Sequence, residues 1–414
     1  MTYAQGRWET AVPLLSESLR GFWHIIGLSG SARPRAHRGR KGLRAYENPT
    51  FRKDTAMVIR IPASYDGRIL RSYLKLTLGL STAVLAKLKA HERGILVNGE
   101  RVTVRYVLRE GDVLELFDYD TPETATETVI PCEHPLDVLY EDEFVIALSK
   151  PADMPTHPSH GHLTDTLANA LAYRYAQRAE PFVFRPLGRL DRNTSGVVVA
   201  GKTRAASGCL GRSLIQGDVT KRYIAVLVGE MPDGHGVHTV DAPIYRIEEP
   251  IEGGFSSIKR AVGDPEQTGA VRAVTRYRIL ATGGGHTLVL CEPVTGRTHQ
   301  LRVHFSHLGY PILGDDLYGE ASSRINRHAL HALSLSVPMP FSRMREDIHA
   351  SATPFTGCED GLPLNTPTPD GFLHIWAPLP TDMADVVGDL FPLSEVLSPQ
   401  PTVGLLRTLT LSNS

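Results

Sequence analysis

The chain has 414 residues, 42% hydrophobic and 21% charged, with 37 Gly and 29 Pro, a balance that suits a folded protein of two or three domains and excludes wholesale disorder. No stretch reaches the roughly 18 apolar residues of a membrane-spanning helix, and the most apolar early run, residues 13–32, is broken by Glu17 and Arg20. The net charge of −1 hides a local asymmetry: residues 1–56 carry ten Lys/Arg against four Asp/Glu, residues 57–118 ten against seven, and residues 119–143 eight acids and no base. A basic front half joined to an acidic connector is compatible with a nucleic-acid partner, and equally with a solvated surface. Cys132, Cys209, Cys291 and Cys358 form no CxxC pair, which excludes a sequence-readable zinc knuckle and points to a reducing, cytoplasmic setting.

Residues 1–56 include the basic string Arg33-Pro34-Arg35-Ala36-His37-Arg38-Gly39-Arg40-Lys41 and no hydrophobic period, so they read as a disordered extension. Initiation at Met57, where the first patterned segment opens, is the alternative reading. Residues 58–61 alternate as a strand does. Residues 68–75 have helical spacing, Ser81 is placed to cap a second helix over residues 82–91, and Gly94 can end it. Asn98-Gly99 between apolar runs predicts a hairpin, and Gly111-Asp112 before residues 113–116 predicts another. This order, with Gly94-Ile95-Leu96-Val97-Asn98-Gly99 and Gly111-Asp112, resembles the S4 RNA-binding domain. The resemblance implies that residues 57–118 present Arg68, Arg71, Lys75, Lys87, Lys89 and Arg93 to structured RNA, attracting phosphate without reading sequence.

Residues 119–135, rich in Thr, Glu and Pro, read as an acidic linker. Residues 136–148 give two short strands around an acidic turn, closing on Lys150-Pro151. Residues 165–177 have helical spacing, and further strands are expected at 196–200, 223–228, 274–280 and 286–291. Strands outnumber helices, so an α+β fold with a mixed or antiparallel sheet is expected over residues 136–392, rather than a doubly wound one. A Pro-, Gly- and Thr-rich insertion at 341–371 reads as a surface loop and residues 393–414 as a tail.

Two strings carry chemistry. Gly188-Arg189-Leu190-Asp191-Arg192-Asn193-Thr194-Ser195-Gly196 sets one carboxylate between two arginines ahead of a buried-looking strand. Guanidinium charge nearby keeps such a carboxylate ionised, as a nucleophile or base requires. The other reading is a structural Arg-Asp-Arg network in which Asp191 holds a turn with Thr194 and Ser195. The second string is Thr295-Gly296-Arg297-Thr298-His299-Gln300-Leu301-Arg302-Val303-His304-Phe305-Ser306-His307. Its histidines lack the spacing of a zinc helix or finger. It reads better as a polar wall in which Arg302 reaches a carboxylate or phosphate while His and Gln side chains satisfy buried backbone groups.

Lys150-Pro151 with His157-Pro158, the Arg189–Gly196 string, Lys221-Arg222-Tyr223-Ile224-Ala225-Val226, the Gly296–His304 cluster, Gly309-Tyr310-Pro311-Ile312-Leu313-Gly314-Asp315 with Leu317-Tyr318-Gly319, and Leu330-His331-Ala332 together resemble the motifs of RluA-type RNA pseudouridine synthases, in family order. The resemblance implies isomerisation of uridine to pseudouridine within RNA, without cofactor or metal. It implies Asp191 as the catalytic aspartate, acting as nucleophile on the sugar or as base toward a ribose proton. Tyr223 is then the tyrosine that stacks on uracil, Arg302 the partner of the aspartate, and Arg189 the residue that fills the place of the flipped base. Arg192, Thr194, Ser195, Gly196, Arg297, His299 and Gln300 are its expected support. Gly188 departs from the family, which usually has His there, and implies an altered substrate contact. A monomer acting on ribosomal RNA of the large subunit is expected, with tRNA, or an inactive RNA-binding protein of the same fold, as the alternatives.

Overall fold

The computed structural model describes residues 57–117, 129–159, 161–232, 236–251, 254–256, 258–339, 365, 367–368 and 371–391. The expected N-terminal extension, most of the acidic linker, nearly all of the 341–371 insertion and the C-terminal tail lie outside the described residues. Among those residues no helix is long and apolar enough to cross a membrane.

The front unit is a four-stranded antiparallel sheet, β1 (Met57–Arg60), β2 (Ile95–Val97), β3 (Glu100–Arg101) and β4 (Val113–Leu116), in the order β1-β4-β2-β3. Helix α1 (Thr82–Ala90) begins where Ser81 Oγ accepts from the Val84 amide, which satisfies one of the free N–H groups of its first turn. The helix expected over 68–75 is shorter, Leu70–Ser72, and continues as one π turn, Tyr73–Thr77. Asn98 (φ 52°) and Gly99 (φ 80°) make the β2–β3 turn, with both central residues left-handed as a type I′ hairpin needs. The second expected hairpin is corrected. Gly111 turns the chain and Asp112 ties the turn to the Arg109 amide and to Asn98, but β4 pairs with β1 and β2 and not with β3, because Leu114 and Leu116 share the core of Ile59.

The larger unit is a nine-stranded sheet containing β5 (Asp137–Glu141), β6 (Val145–Lys150), β7 (Ser195–Gly201), β8 (Thr220–Val228), β9 (His238–Asp241), β14 (Val274–Gly283), β15 (His286–Pro293), β16 (Leu330–Pro338) and β17 (Phe372–Trp376). Between β9 and β14, the short strands β10 (Ile244–Arg246) and β13 (Arg260–Val262) pair with each other, as do β11 (Glu249–Ile251) and β12 (Gly254–Ser256). The order is β5-β6-β7-β16-β8-β15-β14-β9, with β17 beside β16. Among the described strands only β16 and β7 run parallel, so the sheet is mixed and mainly antiparallel, with few helices.

Period-two alternation sends successive residues of β6 and β7 to opposite faces. Ile146, Leu148, Val198 and Ala200 pack with α2 (Leu167–Gln177). Val145, Ala147, Val197 and Val199 pack with α3 (Arg204–Gln216) and with Leu74, Leu78 and Leu85 of the front unit in one continuous core. The approach is close because two glycines meet: a Cβ on Gly79 would lie 2.6 Å from the Gly208 carbonyl oxygen. Cys209 Sγ also donates to Leu78 O at 3.1 Å, and Arg212 donates to the Lys75 carbonyl. At the other end of the sheet, α4 (Gln300–His307) and α5 (Thr381–Leu390) supply Leu301, Phe305, Met383 and Val387 to a second core.

Gly196 sits where parallel β16 crosses the start of β7. Its φ is +114°, and a Cβ there would lie 2.2 Å from the Ala332 carbonyl oxygen. Backbone strain and overpacking together should cost about 3 kcal/mol or more in Gly196→Ala, measured as a lower denaturant midpoint. An unchanged midpoint would show that β7 and β16 part without cost.

Candidate active site

The site forms where the loop entering β7, the strand β8 and the N-terminal half of α4 converge. Asp191 lies on that loop with its side chain 28% exposed, and its Oδ2 lies 3.4 Å from Arg302 Nη1 and 3.9 Å from His299 Nε2. Arg302 is held from behind. Its Nε and Nη2 donate to Asp315 Oδ2 and Oδ1 at 2.7 and 2.8 Å, the bidentate fork that fixes a guanidinium plane. Burial works against both charges, yet hydrogen bonding and mutual attraction outweigh it, raising the pKa of Arg302 above its ordinary value and holding the Asp315 carboxyl below the usual range. Asp315 is fully buried, so its charge is directed at Arg302 rather than at solvent.

His299 opens α4 in the left-handed region (φ 57°). This conformation, uncommon for a side-chain-bearing residue, places its ring between Asp191 and Tyr318. Its Nδ1 lies 2.8 Å from Tyr318 OH, which also accepts from the Arg260 amide at 3.0 Å. The Tyr318 ring lies under Arg302, with Cζ 5.0 Å from its centroid. Tyr223, half-buried on β8 between Ala332 and Cys291, has its phenol pushed well above the ordinary value by burial first and by the charge of Asp191 second.

The expected supporting residues divide. Thr194 and Ser195 do not bond Asp191 through their hydroxyls. Thr194 Oγ1 pairs with His328 Nε2 at 2.8 Å and Ser195 Oγ with His331 Nδ1 at 2.9 Å, while the Thr194 amide donates to Asp191 O and closes the turn. Burial, aided by nearby arginine charge, lowers His328 to about 3 and His331 to about 4, so both imidazoles are neutral at physiological pH. Gln300 clamps α4 to the sheet, donating to Val274 O and Thr275 Oγ1 and accepting from Thr295 Oγ1 and the Arg297 amide.

Two expectations are corrected. Arg192 does not flank the carboxylate with charge: its Nε donates to Asp153 Oδ1 at 2.7 Å, where an exposed partner draws it outward. Arg297 is exposed and donates to Arg272 O, away from Asp191. The guanidinium beside Asp191 comes from Arg302, distant in sequence, rather than from the adjacent arginines. Arg189 is exposed, and burial first and the Arg189 charge second depress the pKa of His157. In the front unit Arg68, Arg71, Lys87, Lys89 and Arg93 are exposed. Lys75 is half-buried, with Nζ donating to Thr82 Oγ1. Arg101 joins this set unannounced by the sequence, since its Nη2 donates to Lys89 O beside a groove of about 190 Å³.

Lys150 was legible only as part of a motif, and its task is structural. Fully buried, it donates to Pro151 O, Met154 O and Arg192 O at 2.7, 2.8 and 3.0 Å, tying the Asp191 loop to the end of β6. Burial lowers its pKa to about 7 from 10.5. Between those values the unfolded chain binds more protons than the native one, so native stability gains as pH rises from about 7 toward 10. Lys150→Met removes donors from three carbonyls and also removes this gain. The variant is expected to be less stable, with a deficit that widens over that interval in pH-dependent denaturant titrations; a constant deficit would contradict the assignment.

A family model described as RNA pseudouridylate synthase matches residues 144–307, which span both strings and Tyr223. An uncharacterized RNA pseudouridine synthase of Bacillus subtilis (strain 168), YjbO, is 37% identical over 273 residues, 66% of this chain and 92% of that one. Ribosomal large subunit pseudouridine synthase D of Xanthomonas campestris pv. campestris is 38% identical over 271 residues, 62% of this chain and 76% of that one. Among solved structures, Human RNA Pseudouridylate Synthase Domain Containing 1 is 31% identical and aligns with 49% of this chain and 79% of that one, at a TM-score of 0.40. With 37% identity sustained across nearly the whole length of a relative, the chain belongs to the RNA pseudouridine synthases, isomerases that act on RNA.

Proposed function

We propose that Asp191, Tyr223 and Arg302 carry the isomerisation and that the RNA is large-subunit ribosomal RNA. The reaction breaks the N1–C1′ bond, turns the uracil over and forms C5–C1′, with a proton lost from C5 and one gained at N1. The bonds exchanged lie within one nucleotide. The observation that carries the reading is the Asp191–Arg302–Asp315 chain: a partly exposed carboxylate, open to a sugar, is oriented by a guanidinium that a second, buried carboxylate locks in place. Asp191 then either attacks C1′ or takes a ribose proton. Tyr223, kept protonated by burial and by Asp191, suits stacking on the uracil face. Arg189, exposed at the loop tip, suits insertion into the stack that the uridine leaves, a step costing a few kcal/mol.

The front unit is read as an S4-type RNA-binding module, supported by its exposed Arg68, Arg71, Lys87, Lys89 and Arg93, cations that contact phosphates without reading bases. The choice of RNA is supported by relatives named ribosomal large subunit pseudouridine synthase D at 38% and 35% identity. The chain is read as a cytoplasmic monomer; the free Cys132, Cys209 and Cys291 suit the reducing compartment. The test is chemical mapping of pseudouridine in transcripts of large-subunit ribosomal RNA and of tRNA after incubation with the purified chain. New pseudouridine in the ribosomal transcript supports the reading, and modification of tRNA alone replaces it with the tRNA-directed one.

A further inference from the structure

We propose that Lys221 forms a phosphate subsite of the catalytic centre, its ammonium group binding a phosphodiester oxygen of the RNA beside the target uridine. The inference deepens the Asp191 reading and rests on it. Lys221 and Tyr223 lie two residues apart on β8, so both project from the same face of the strand. Lys221 Nζ reaches the loop that carries Asp191, lying 3.2 Å from where a Cβ on Gly188 would stand. Arg189, the next residue, is exposed at the same loop. The Lys221 cation therefore approaches Gly188 from the strand, and the lack of a side chain at 188 leaves the amine uncovered.

Among the described residues the amine has no partner. The Lys221 side chain makes no hydrogen bond or ion pair with any described residue, and Asp191 is already engaged by Arg302 and His299. Lys221 is nonetheless half-buried, and burial alone depresses its pKa. A partly desolvated cation without an acceptor is unfavourable, whereas the buried Lys150 of the same site has three carbonyls. A uracil carbonyl would leave the charge uncompensated. The anion that RNA brings to every nucleotide is the phosphodiester, and a charge-assisted hydrogen bond to it relieves the cost only when substrate is bound.

The test compares the wild-type chain with Lys221→Met and Lys221→Arg, titrating in vitro transcribed large-subunit ribosomal RNA across a KCl series, with conversion of uridine and thermal midpoints measured alongside. Lys221→Met should bind about tenfold more weakly or worse and show a slope of log affinity against log salt shallower by about 0.7–0.9, the value for one lost phosphate contact. Lys221→Arg should restore both. The Met variant without RNA should melt no lower than wild type, since it loses an unpaired cation. Wild-type affinity and slope in the Met variant would overturn the subsite, and so would an affinity loss at unchanged slope, which marks a merely structural residue. Wild-type conversion in the same mixtures separates the two claims: its presence with an inert Lys221 sinks the subsite alone, and its absence counts against the Asp191 reading itself.

Discussion

Asp191→Asn lowers the rate of uridine conversion by at least about 10³-fold, as removal of a group acting directly on the reacting atoms does, while RNA affinity stays within a few-fold of wild type. The exchange is nearly isosteric and leaves an oxygen for Arg302 Nη1, now 3.4 Å from the carboxylate, so the turn closed by the Thr194 amide and Asp191 O persists. What disappears is the negative charge needed equally for attack on C1′ and for removal of a ribose proton. The competing reading makes Asp191 only a turn-holding residue and predicts the reverse: a lower melting temperature and a rate close to wild type. Single-turnover rates and thermal scans on the same preparation separate the two.

Asp315→Asn has the largest expected effect on stability. Asp315 is fully buried and Arg302 nearly so, and removing one partner of a buried pair leaves an uncompensated charge, costing about 3–5 kcal/mol. Activity falls too, because the guanidinium facing Asp191 loses the fork that orients it. The pH dependence has a definite sign. The Asp315 carboxyl is held below its usual range, so the pair's stabilisation is fully present above about pH 3.9, the unfolded value, and is lost as pH falls through the lowered native one. Unfolding free energies of wild type and variant should therefore differ at neutral pH and converge in acid. A gap that persists unchanged into acid would show that packing, not charge, sets the effect of the substitution.

The parts of the fold and site legible in the sequence are those written in local spacing. Asn98-Gly99 specified its hairpin because both residues tolerate positive φ. The strands β6 and β7 were visible as apolar runs, and Asp191 and Arg302 stood out as members of dense polar strings. What escaped was set by contacts remote in sequence. Arg192 looked like the neighbour of Asp191, but adjacency along a turn does not fix side-chain direction, and Asp153 claimed it. Asp315, 13 residues from Arg302, gave no periodic signal linking the two. Helix α3 carries Gly208 and Gly211, each costing about 1 kcal/mol of helix propensity relative to Ala. It forms because Thr203 caps it and because Gly208 lets the backbone at Gly79 approach. The Gly111-Asp112 turn was read correctly as a turn and wrongly as a hairpin, since the pairing of β4 with β1 is decided by the core of Ile59, Leu114 and Leu116.

The most direct measurement follows the C5 proton and the uracil ring together: large-subunit ribosomal RNA transcribed with tritium at uridine C5 is incubated with the purified chain, and tritium released to water is compared with free uracil. Isomerisation centred on Asp191 predicts tritium release matched by pseudouridine in the intact strand, with no free uracil and no release by Asp191→Asn. Free uracil would instead make the chain a hydrolase, and tight RNA binding without any tritium release would make it a binding protein that retains the fold alone.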